Sequence, residues 1–157
     1  MYISLELFNK YIDWTKLKVA LNSSNEHLFP RKKEVWWINL GQNIGVETNG
    51  KNDRFERPVL VIKAFNTHSF LVAPISSKIK EGDYVFKFTN SSGEKNIVNL
   101  SQLRTVSSKR FIRKINVLSD NDFESAVEMI RVFLPKTKTP LGVFSELPNG
   151  EPNVDKV

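Results

Sequence analysis

The sequence predicts a mainly β protein with two α-helices: a small antiparallel β-barrel with one helix before it and one after it. Short runs of apolar and β-branched residues, separated by turn residues, follow one another from about residue 33 to residue 115. Apolar residues recur at helical spacing on either side of that region. Several short strands at this spacing indicate a small barrel. A chain of 157 residues is long enough for one domain with a buried core.

The first predicted element is an amphipathic helix over residues 5–21. One helical stripe carries Leu7, Tyr11, Trp14, Lys18 and Leu21. Residues 22–32 then form a polar linker that contains Pro30 near its end. Helix and linker together make up a predicted N-terminal unit, residues 1–32.

Short strands follow this linker. They are predicted at 34–40, 57–65, 69–75, 83–89, 95–100 and 102–106, with a further one at 111–115. Turn residues separate them, including Asn66-Thr67, Gly82-Asp83 and the polar cluster 90–93.

A second amphipathic helix closes the barrel region. Ser119 or Asp120 can cap its start, and it ends before Pro135. Its apolar face is predicted to carry Phe123, Ala126, Val127, Ile130 and Phe133. The barrel and this helix form a predicted unit over 33–134. Residues 135–157 hold four prolines and scattered charge, and we expect a loose tail there.

Positive charge is concentrated in the middle of the chain. The net formal charge is +6, but residues 31–114 carry 16 Lys and Arg against 7 Asp and Glu. Residues 1–30 are balanced, and residues 115–157 are net acidic. Localised positive charge is what a nucleic-acid binder needs in order to meet phosphates, so we expect an acidic partner at the central segment. A generally basic domain without such a partner is the alternative.

Composition excludes several classes of function. The chain has no cysteine, which excludes disulfides, zinc–thiolate sites and cysteine nucleophiles. Its two histidines, His27 and His68, are too few for a histidine-based metal site. No apolar run approaches the roughly 20 residues that cross a bilayer, and the N-terminus lacks the layout of a signal peptide. We therefore expect a cytoplasmic protein that contacts no membrane and uses no metal or other cofactor.

The longest predicted loop joins the first two strands and is rich in glycine and asparagine. Its charged and amide side chains include Glu47, Asn49, Lys51 and Arg54. Loops of this length inside compact domains are more often functional than ornamental. Arg57 follows the loop, and Pro58 biases the Arg57 backbone toward the extended form that begins a strand. The Arg57 guanidinium would suit a phosphate. A solvated arginine at a strand end is the alternative.

Two further segments carry groups of the kind that bind nucleic acid. After the third predicted strand come two hydroxyls and two lysines, Ser76, Ser77, Lys78 and Lys80. Hydroxyls can donate to a phosphate while lysines hold the neighbouring phosphates. Asn99, Gln102 and Arg104 carry amide and guanidinium groups that read bases in single strands. An ordinary polar turn and cross-strand hydrogen bonds are the structural alternatives.

Taken in order, these segments resemble the MazF/PemK family of toxins from bacterial toxin–antitoxin pairs. The segments that carry the resemblance are EVWWINLG, GVETNGK, RPVLVI, VAPISSKIK and LSQLRTVSSKRF. The similarity covers roughly 33–134 and rests on the order and spacing of the segments. It implies an SH3-like barrel with a C-terminal helix, to which the helix at 5–21 is an N-terminal addition.

The resemblance also implies an activity. Members of the family are generally metal-independent endoribonucleases (mRNA interferases) that cut single-stranded RNA and leave a 2′,3′-cyclic phosphate. They form homodimers, and each is neutralised by a cognate antitoxin protein. Arg57 matches an arginine that stabilises the phosphate in its transition state, Ser76 stands where many members have a catalytic threonine, and Glu47 matches a loop acid and is a possible base. The residues expected to contact RNA are Asn49, Lys51, Arg54, Ser77, Lys78, Lys80, Gln102 and Arg104.

The sequence also departs from the family pattern where some members have an acid/base pair: Val46 stands where a minority of members use histidine. Ser101 stands where some members carry a catalytic aspartate. The alternative is therefore a toxin-like scaffold that cuts nothing. Such a scaffold would bind nucleic acid, or would bind a topoisomerase as the gyrase poison CcdB does. The basic, hydroxyl-lined segments favour the ribonuclease.

Overall fold

The computed structural model describes residues 4–134, which form seven β-strands and two α-helices. The helices are α1 (Leu5–Ser23) and α2 (Asp120–Phe133). The strands are β1 (Glu34–Asn39), β2 (Glu56–Ala64), β3 (Ser69–Ser76), β4 (Val85–Thr89), β5 (Lys95–Asn99), β6 (Arg104–Ser107) and β7 (Phe111–Val117). Two 3-10 turns, Leu100–Gln102 and Ser108–Arg110, follow β5 and β6. Every predicted helix and strand is present, with bounds that lie within about two residues of those expected.

The strands pair antiparallel throughout, and the predicted fold class is confirmed. They lie in the order β4-β5-β3-β2-β1-β7, with β6 beside β3. The first half of β3 pairs with β6, and its last two residues pair with β5. Between β2 and β3 the register sets Val59 opposite Pro74. Continuing that register by two residues aligns Arg57 with Ser76, so the start of β2 and the end of β3 lie side by side.

Strand β2 is buried on both faces of the sheet, since its adjacent apolar residues point to opposite sides and each side packs into a core cluster. Along β2, Val59 and Val61 belong to one core cluster and Leu60 belongs to the other. The Leu60 cluster packs under α2 through Phe123, Ala126 and Ile130. The Val59 cluster also contains Ile38, Leu40, Phe70, Val72, Val106 and Phe111.

Helix α1 contacts the barrel mainly through one aromatic residue. Trp14 is 6% exposed, its ring lies 5.6 Å from the Phe55 ring, and the Arg110 guanidinium lies 5.2 Å from it. Leu7, which the helical pattern placed on the buried stripe, is 45% exposed. The apolar stripe of α1 is therefore only partly covered in the described part of the chain.

Helix α2 begins as the sequence predicts. The Ser119 side chain accepts the Asp122 N–H at 3.1 Å, which satisfies a free donor of the first turn. Lys33 Nζ donates to the Asp120 carboxylate, and this hydrogen bond, aided by the lysine's charge, lowers the pKa of Asp120. The helix is therefore capped by its own chain and linked to the segment before β1.

The predicted division into units 1–32, 33–134 and 135–157 stays a prediction. The expected loose tail, 135–157, lies outside the described residues. Neither helix within residues 4–134 is both long enough and apolar enough to cross a membrane.

Gly41 is the point at which the chain leaving β1 meets α1. Its φ is +104°, and a Cβ there would lie 2.4 Å from Trp14 Cζ2. We expect Gly41→Ala to lower the free energy of unfolding by about 3 kcal/mol, because strain at positive φ adds to this clash. Urea unfolding would measure the loss.

Gly93→Ala is the control for that measurement. Gly93 has a φ of +80°, but an added Cβ there meets nothing within 4 Å among the described residues. Only the backbone strain then applies, about 1 kcal/mol. Equal losses of unfolding free energy in the two variants would show that Trp14 can move away from an added Cβ at Gly41 without an energetic cost.

Candidate active site

A cleft of about 280 Å³ lies between the β1–β2 loop (residues 40–55) and the adjoining ends of β2, β3 and β5. Its lining consists of Val46, Thr48, Asn49, Lys51, Arg57, Pro74, Ile75, Ser76, Lys78, Lys80, Ile97 and Asn99. Six predicted site residues meet there: Asn49, Lys51, Arg57, Ser76, Lys78 and Lys80. Strand pairing brings these distant parts of the chain to one place.

Arg57 is the second residue of β2 and pairs with Ile38 of β1. Its Nε donates to the Asn49 carbonyl oxygen at 2.5 Å, and its Nη1 lies 3.5 Å from the Ile75 carbonyl oxygen. Burial lowers the pKa of Arg57, but an arginine stays charged at neutral pH. The Asn49 contact fixes the plane of the guanidinium, and Nη2 has no partner among the described residues.

Ser76 is the last residue of β3 and pairs with Ile97 of β5. Its Oγ accepts the Lys78 N–H at 3.1 Å. Since that bond uses the oxygen only as an acceptor, the hydroxyl hydrogen can donate to a ligand. A hydroxyl donor and a guanidinium donor therefore line the same cleft.

The charged side chains that line the cleft are all positive. Arg57, Lys51, Lys78 and Lys80 line it, and none of the described lining residues is Asp or Glu. Cationic groups that converge in a concave site attract anions more strongly than the same groups spread over a surface. The arrangement is suited to a polyanion that occupies several cationic positions together.

A larger depression beside α2, about 650 Å³, has a different character. Its charges are largely paired: Lys33 with Asp120, and Arg131 with Glu128 at 3.3 Å. Because these pairs neutralise one another, we place the candidate site at the smaller, uniformly cationic cleft.

Glu47 lies at the rim of the cleft, between the lining residues Val46 and Thr48. Its carboxylate accepts the Ile44 N–H at 3.1 Å, and the side chain is exposed. In this conformation the predicted base closes a turn of the loop and does not line the cleft.

Gln102 and Arg104, which were predicted to contact RNA, are instead hydrogen-bonded to the β1–β2 loop. Gln102 Oε1 accepts the Thr48 N–H at 3.0 Å, and Arg104 Nη1 donates to Asn43 Oδ1 at 3.3 Å. These bonds fix the loop against the segment that follows β5. Gln102 and Arg104 thus stabilise the loop that forms one wall of the cleft.

The last two predicted contacts lie outside the lining. Arg54 Nε is 3.6 Å from the Glu56 carboxylate, and Arg54 borders a separate cavity beside the end of α1. Ser77 is exposed in the turn after Ser76. Neither residue joins Arg57 in the cleft.

Several lining residues were not predicted as site residues. Val46, Thr48 and Ile97 form parts of the wall, and Asn43 holds the loop in place. Thr48 and Val46 could have been found from their position beside Glu47 and Asn49. Ile97 and Asn43 carry no sequence signal, because their roles depend on contacts made in the folded chain.

Comparisons with known proteins identify relatives of this chain by sequence family and by fold. A family model described as the PemK-like, MazF-like toxin of type II toxin–antitoxin systems matches residues 31–134. MazF (form I) from Deinococcus radiodurans superposes with a TM-score of 0.57 at 19% identity, covering 67% of this chain and 96% of that one. A chain of the MazE–MazF structure (form II) from the same organism gives 0.55 at 16% identity, covering 70% and 99%. Among curated proteins, none matches this chain.

Proposed function

The chain belongs to the PemK-like, MazF-like toxins of type II toxin–antitoxin systems, and from that membership we propose that it is an endoribonuclease of single-stranded RNA. The observation that carries the proposal is the cleft in which Arg57 and Ser76 lie among three lysines. Guanidinium, hydroxyl and ammonium donors converge there with no acid among the described lining residues. Such a donor set suits the phosphates of a nucleic acid.

RNA supplies its own nucleophile in the proposed reaction. The 2′-oxygen attacks the adjacent phosphorus, so that a new O–P bond forms and the bond to the 5′-oxygen breaks. One proton leaves the 2′-hydroxyl and one reaches the 5′-oxygen, which gives a 2′,3′-cyclic phosphate and a 5′-hydroxyl end. Arg57 and Ser76 would stabilise the charge that grows on the phosphorane, at about 3–4 kcal/mol per preorganised donor.

Glu47 is our proposed general base. Its backbone lies at the rim of the cleft, and its carboxylate now bonds to the Ile44 N–H. To take the 2′-proton it has to break that bond and rotate into the cleft, within about 3 Å of the hydroxyl. Since the side chain is exposed, the rotation meets little packing resistance.

The remaining predicted residues would bind the strand on both sides of the cut. Lys51, Lys78 and Lys80 would bind phosphates of the RNA, and Asn49 would contact the RNA strand beside Arg57. Ser77 and Arg54 would extend these contacts along the surface, and Gln102 and Arg104 would contribute through the loop they hold.

We also propose an antitoxin protein and a homodimer. Support for the antitoxin comes from the family, whose toxins act in toxin–antitoxin systems, and from the similar fold of the MazE–MazF structure. An acidic segment of an antitoxin would compete with RNA for the lysines of the cleft. We also propose that the protein acts in the cytoplasm, where single-stranded RNA is available as a substrate.

One experiment tests the ribonuclease proposal directly. Purified protein is incubated in EDTA with a long single-stranded RNA, and the fragment ends are mapped. We expect discrete cuts with 5′-hydroxyl ends. If folded, antitoxin-free protein leaves the RNA intact but retains it in a binding assay, the chain is a nucleic-acid binder and the proposed reaction is wrong.

Salt dependence tests the role of the lysines. Each lysine that neutralises a phosphate of a single strand contributes about 0.7 to the slope of log K against log salt. We expect Lys78→Gln with Lys80→Gln to reduce that slope by about 1.4 and to weaken binding of every sequence alike. Fluorescence anisotropy with a labelled RNA at several salt concentrations measures it.

Lys63→Gln is the matched control for that titration. Lys63 lies near the other end of β2 from Arg57, and its Nζ lies 5.5 Å from the Phe65 ring centroid. Its loss removes a charge without removing a cleft contact. A slope that also falls by about 0.7 in Lys63→Gln, half the change in the double variant, would mean that RNA binds the whole surface and not the cleft.

A further inference from the structure

We propose that α1 positions Arg57 through a chain of hydrogen bonds that begins at Tyr11, a role that rests on the proposed ribonuclease. The family model matches residues 31–134, so α1 lies before the matched segment. The function of this added helix would then be to fix the loop that holds Arg57.

The first link joins α1 to the β1–β2 loop. Tyr11 Oη donates to the Asn43 carbonyl oxygen at 2.8 Å. One helical turn further on, Trp14 packs against Gly41, where there is no room for a Cβ. Helix α1 therefore holds the first part of the loop by a hydrogen bond and by a close aromatic contact.

Asn43 passes this constraint across the loop. Its backbone N–H donates to Asn49 Oδ1 at 2.6 Å, and its Nδ2 donates to the Thr48 carbonyl oxygen at 2.7 Å. Arg104 donates to its Oδ1 at 3.3 Å. Backbone and side chain of Asn43 together tie the outgoing half of the loop to the returning half.

Asn49 is the last link. Its side-chain oxygen is held by Asn43, and its backbone oxygen accepts Arg57 Nε at 2.5 Å. The acceptor that sets the plane of the guanidinium is therefore itself fixed, through Asn43, by the hydroxyl of Tyr11.

The part of the loop between these contacts needs such a restraint. Ile44 is 76% exposed and Val46 is 94% exposed, so the tip of the loop has little packing of its own. Segments with few buried contacts open at low cost. A misplacement of about 1 Å in a positioned group can lower a rate about a hundredfold. Loosening the loop would thus lower the rate through Arg57 without unfolding the barrel.

The direct test is Tyr11→Phe, which removes one hydroxyl and keeps the ring. We expect kcat for RNA cleavage to fall about tenfold, with KM within about twofold and the melting temperature nearly unchanged. Tyr84→Phe is the control, because it removes the same atom from a half-exposed tyrosine that is absent from the cleft lining. Equal activities for Tyr11→Phe and Tyr84→Phe would overturn the proposal.

A second measurement separates positioning from a general structural role. Arg57→Lys has no Nε–H for the Asn49 oxygen, so the chain of hydrogen bonds ends before the catalytic charge. In that background we expect Tyr11→Phe to change the residual kcat less than twofold. A tenfold loss in both backgrounds would show that Tyr11 acts independently of Arg57.

A third readout does not depend on activity. In wild-type protein the Arg57 Nε–H is hydrogen-bonded, and we expect its NMR signal to exchange slowly with water. In Tyr11→Phe the exchange should become at least about tenfold faster, while Tyr84→Phe leaves it unchanged. If wild-type protein cuts no RNA, the proposed function fails, and this signal still decides whether α1 holds Arg57. An unchanged signal in Tyr11→Phe would refute the positioning role.

Discussion

Arg57→Ala is expected to lower RNA cleavage by about 10³-fold while the protein remains folded. A preorganised charged donor at a developing negative charge is worth about 3–4 kcal/mol, and Arg57 is the cleft's guanidinium. Its loss also frees the Asn49 carbonyl oxygen, which can bond to water at the loop surface. The free energy of unfolding should therefore change by only about 1 kcal/mol.

Single-turnover cleavage and urea unfolding, carried out on the same preparation, measure both parts of this expectation. Arg131→Ala is the control, because Arg131 lies on α2, paired with Glu128 and 72% exposed. It removes a guanidinium of the same charge far along the chain from the cleft. Cleavage that survives in Arg57→Ala at the rate of Arg131→Ala would remove Arg57 from the mechanism.

Ser76→Ala is expected to have the second largest effect, a loss of about a hundredfold in kcat. The hydroxyl is the proposed second donor to the phosphorane, and alanine keeps the strand end but has no such donor. Ser76→Thr should retain activity within a few fold, because the hydroxyl is kept and the side chain lies at the half-exposed end of β3. Rescue by threonine would separate the hydroxyl's chemistry from any effect on folding.

Ser107 provides a closely matched control. Ser76 Oγ accepts the Lys78 N–H at 3.1 Å, and Ser107 Oγ accepts the Lys109 N–H at 3.3 Å. Both serines end a strand, and only Ser76 lines the cleft. Ser107→Ala should lose the same local bond and keep full cleavage. If the two alanine variants lose activity equally, the effect belongs to the turn and not to the catalytic hydroxyl.

The strands could be predicted from the sequence because their signals are local. In β2, the alternation of Val59, Leu60 and Val61 between two cores follows from the strand period alone. Arg57 was marked by Pro58, and Ser76 by the polar residues that end an apolar run. These features need no knowledge of partners in space.

The supports of the site could not be predicted in this way. Gln102 bonds to Thr48 across 54 residues, and Arg104 bonds to Asn43 across 61 residues. Their polar side chains suggested RNA contacts, and the structure places them against the loop. A sequence shows that a polar group needs a partner, but the folded chain decides which partner is near.

Helix α1 shows the same limit. Helical spacing placed Leu7 and Trp14 on one apolar stripe, whereas Trp14 alone is deeply buried. The helical spacing predicts the helix, but it does not predict that the Trp14 indole packs against a glycine. That approach depends on Gly41, which lies 27 positions beyond Trp14 in the sequence.

Strand β3 pairs with β6 along its first half and with β5 at its end, and this has a consequence for when the site can form during translation. One wall of the cleft is β5, through Ile97 and Asn99, and β5 pairs with the end of β3 at Ser76. A nascent chain that stops before β5 has both proposed catalytic donors but no closed site. Since translation runs from the N-terminus, the residues up to Asn99 must leave the ribosome before the site can assemble. On the proposed function, the growing toxin would therefore spare the message that encodes it until β5 has left the ribosome.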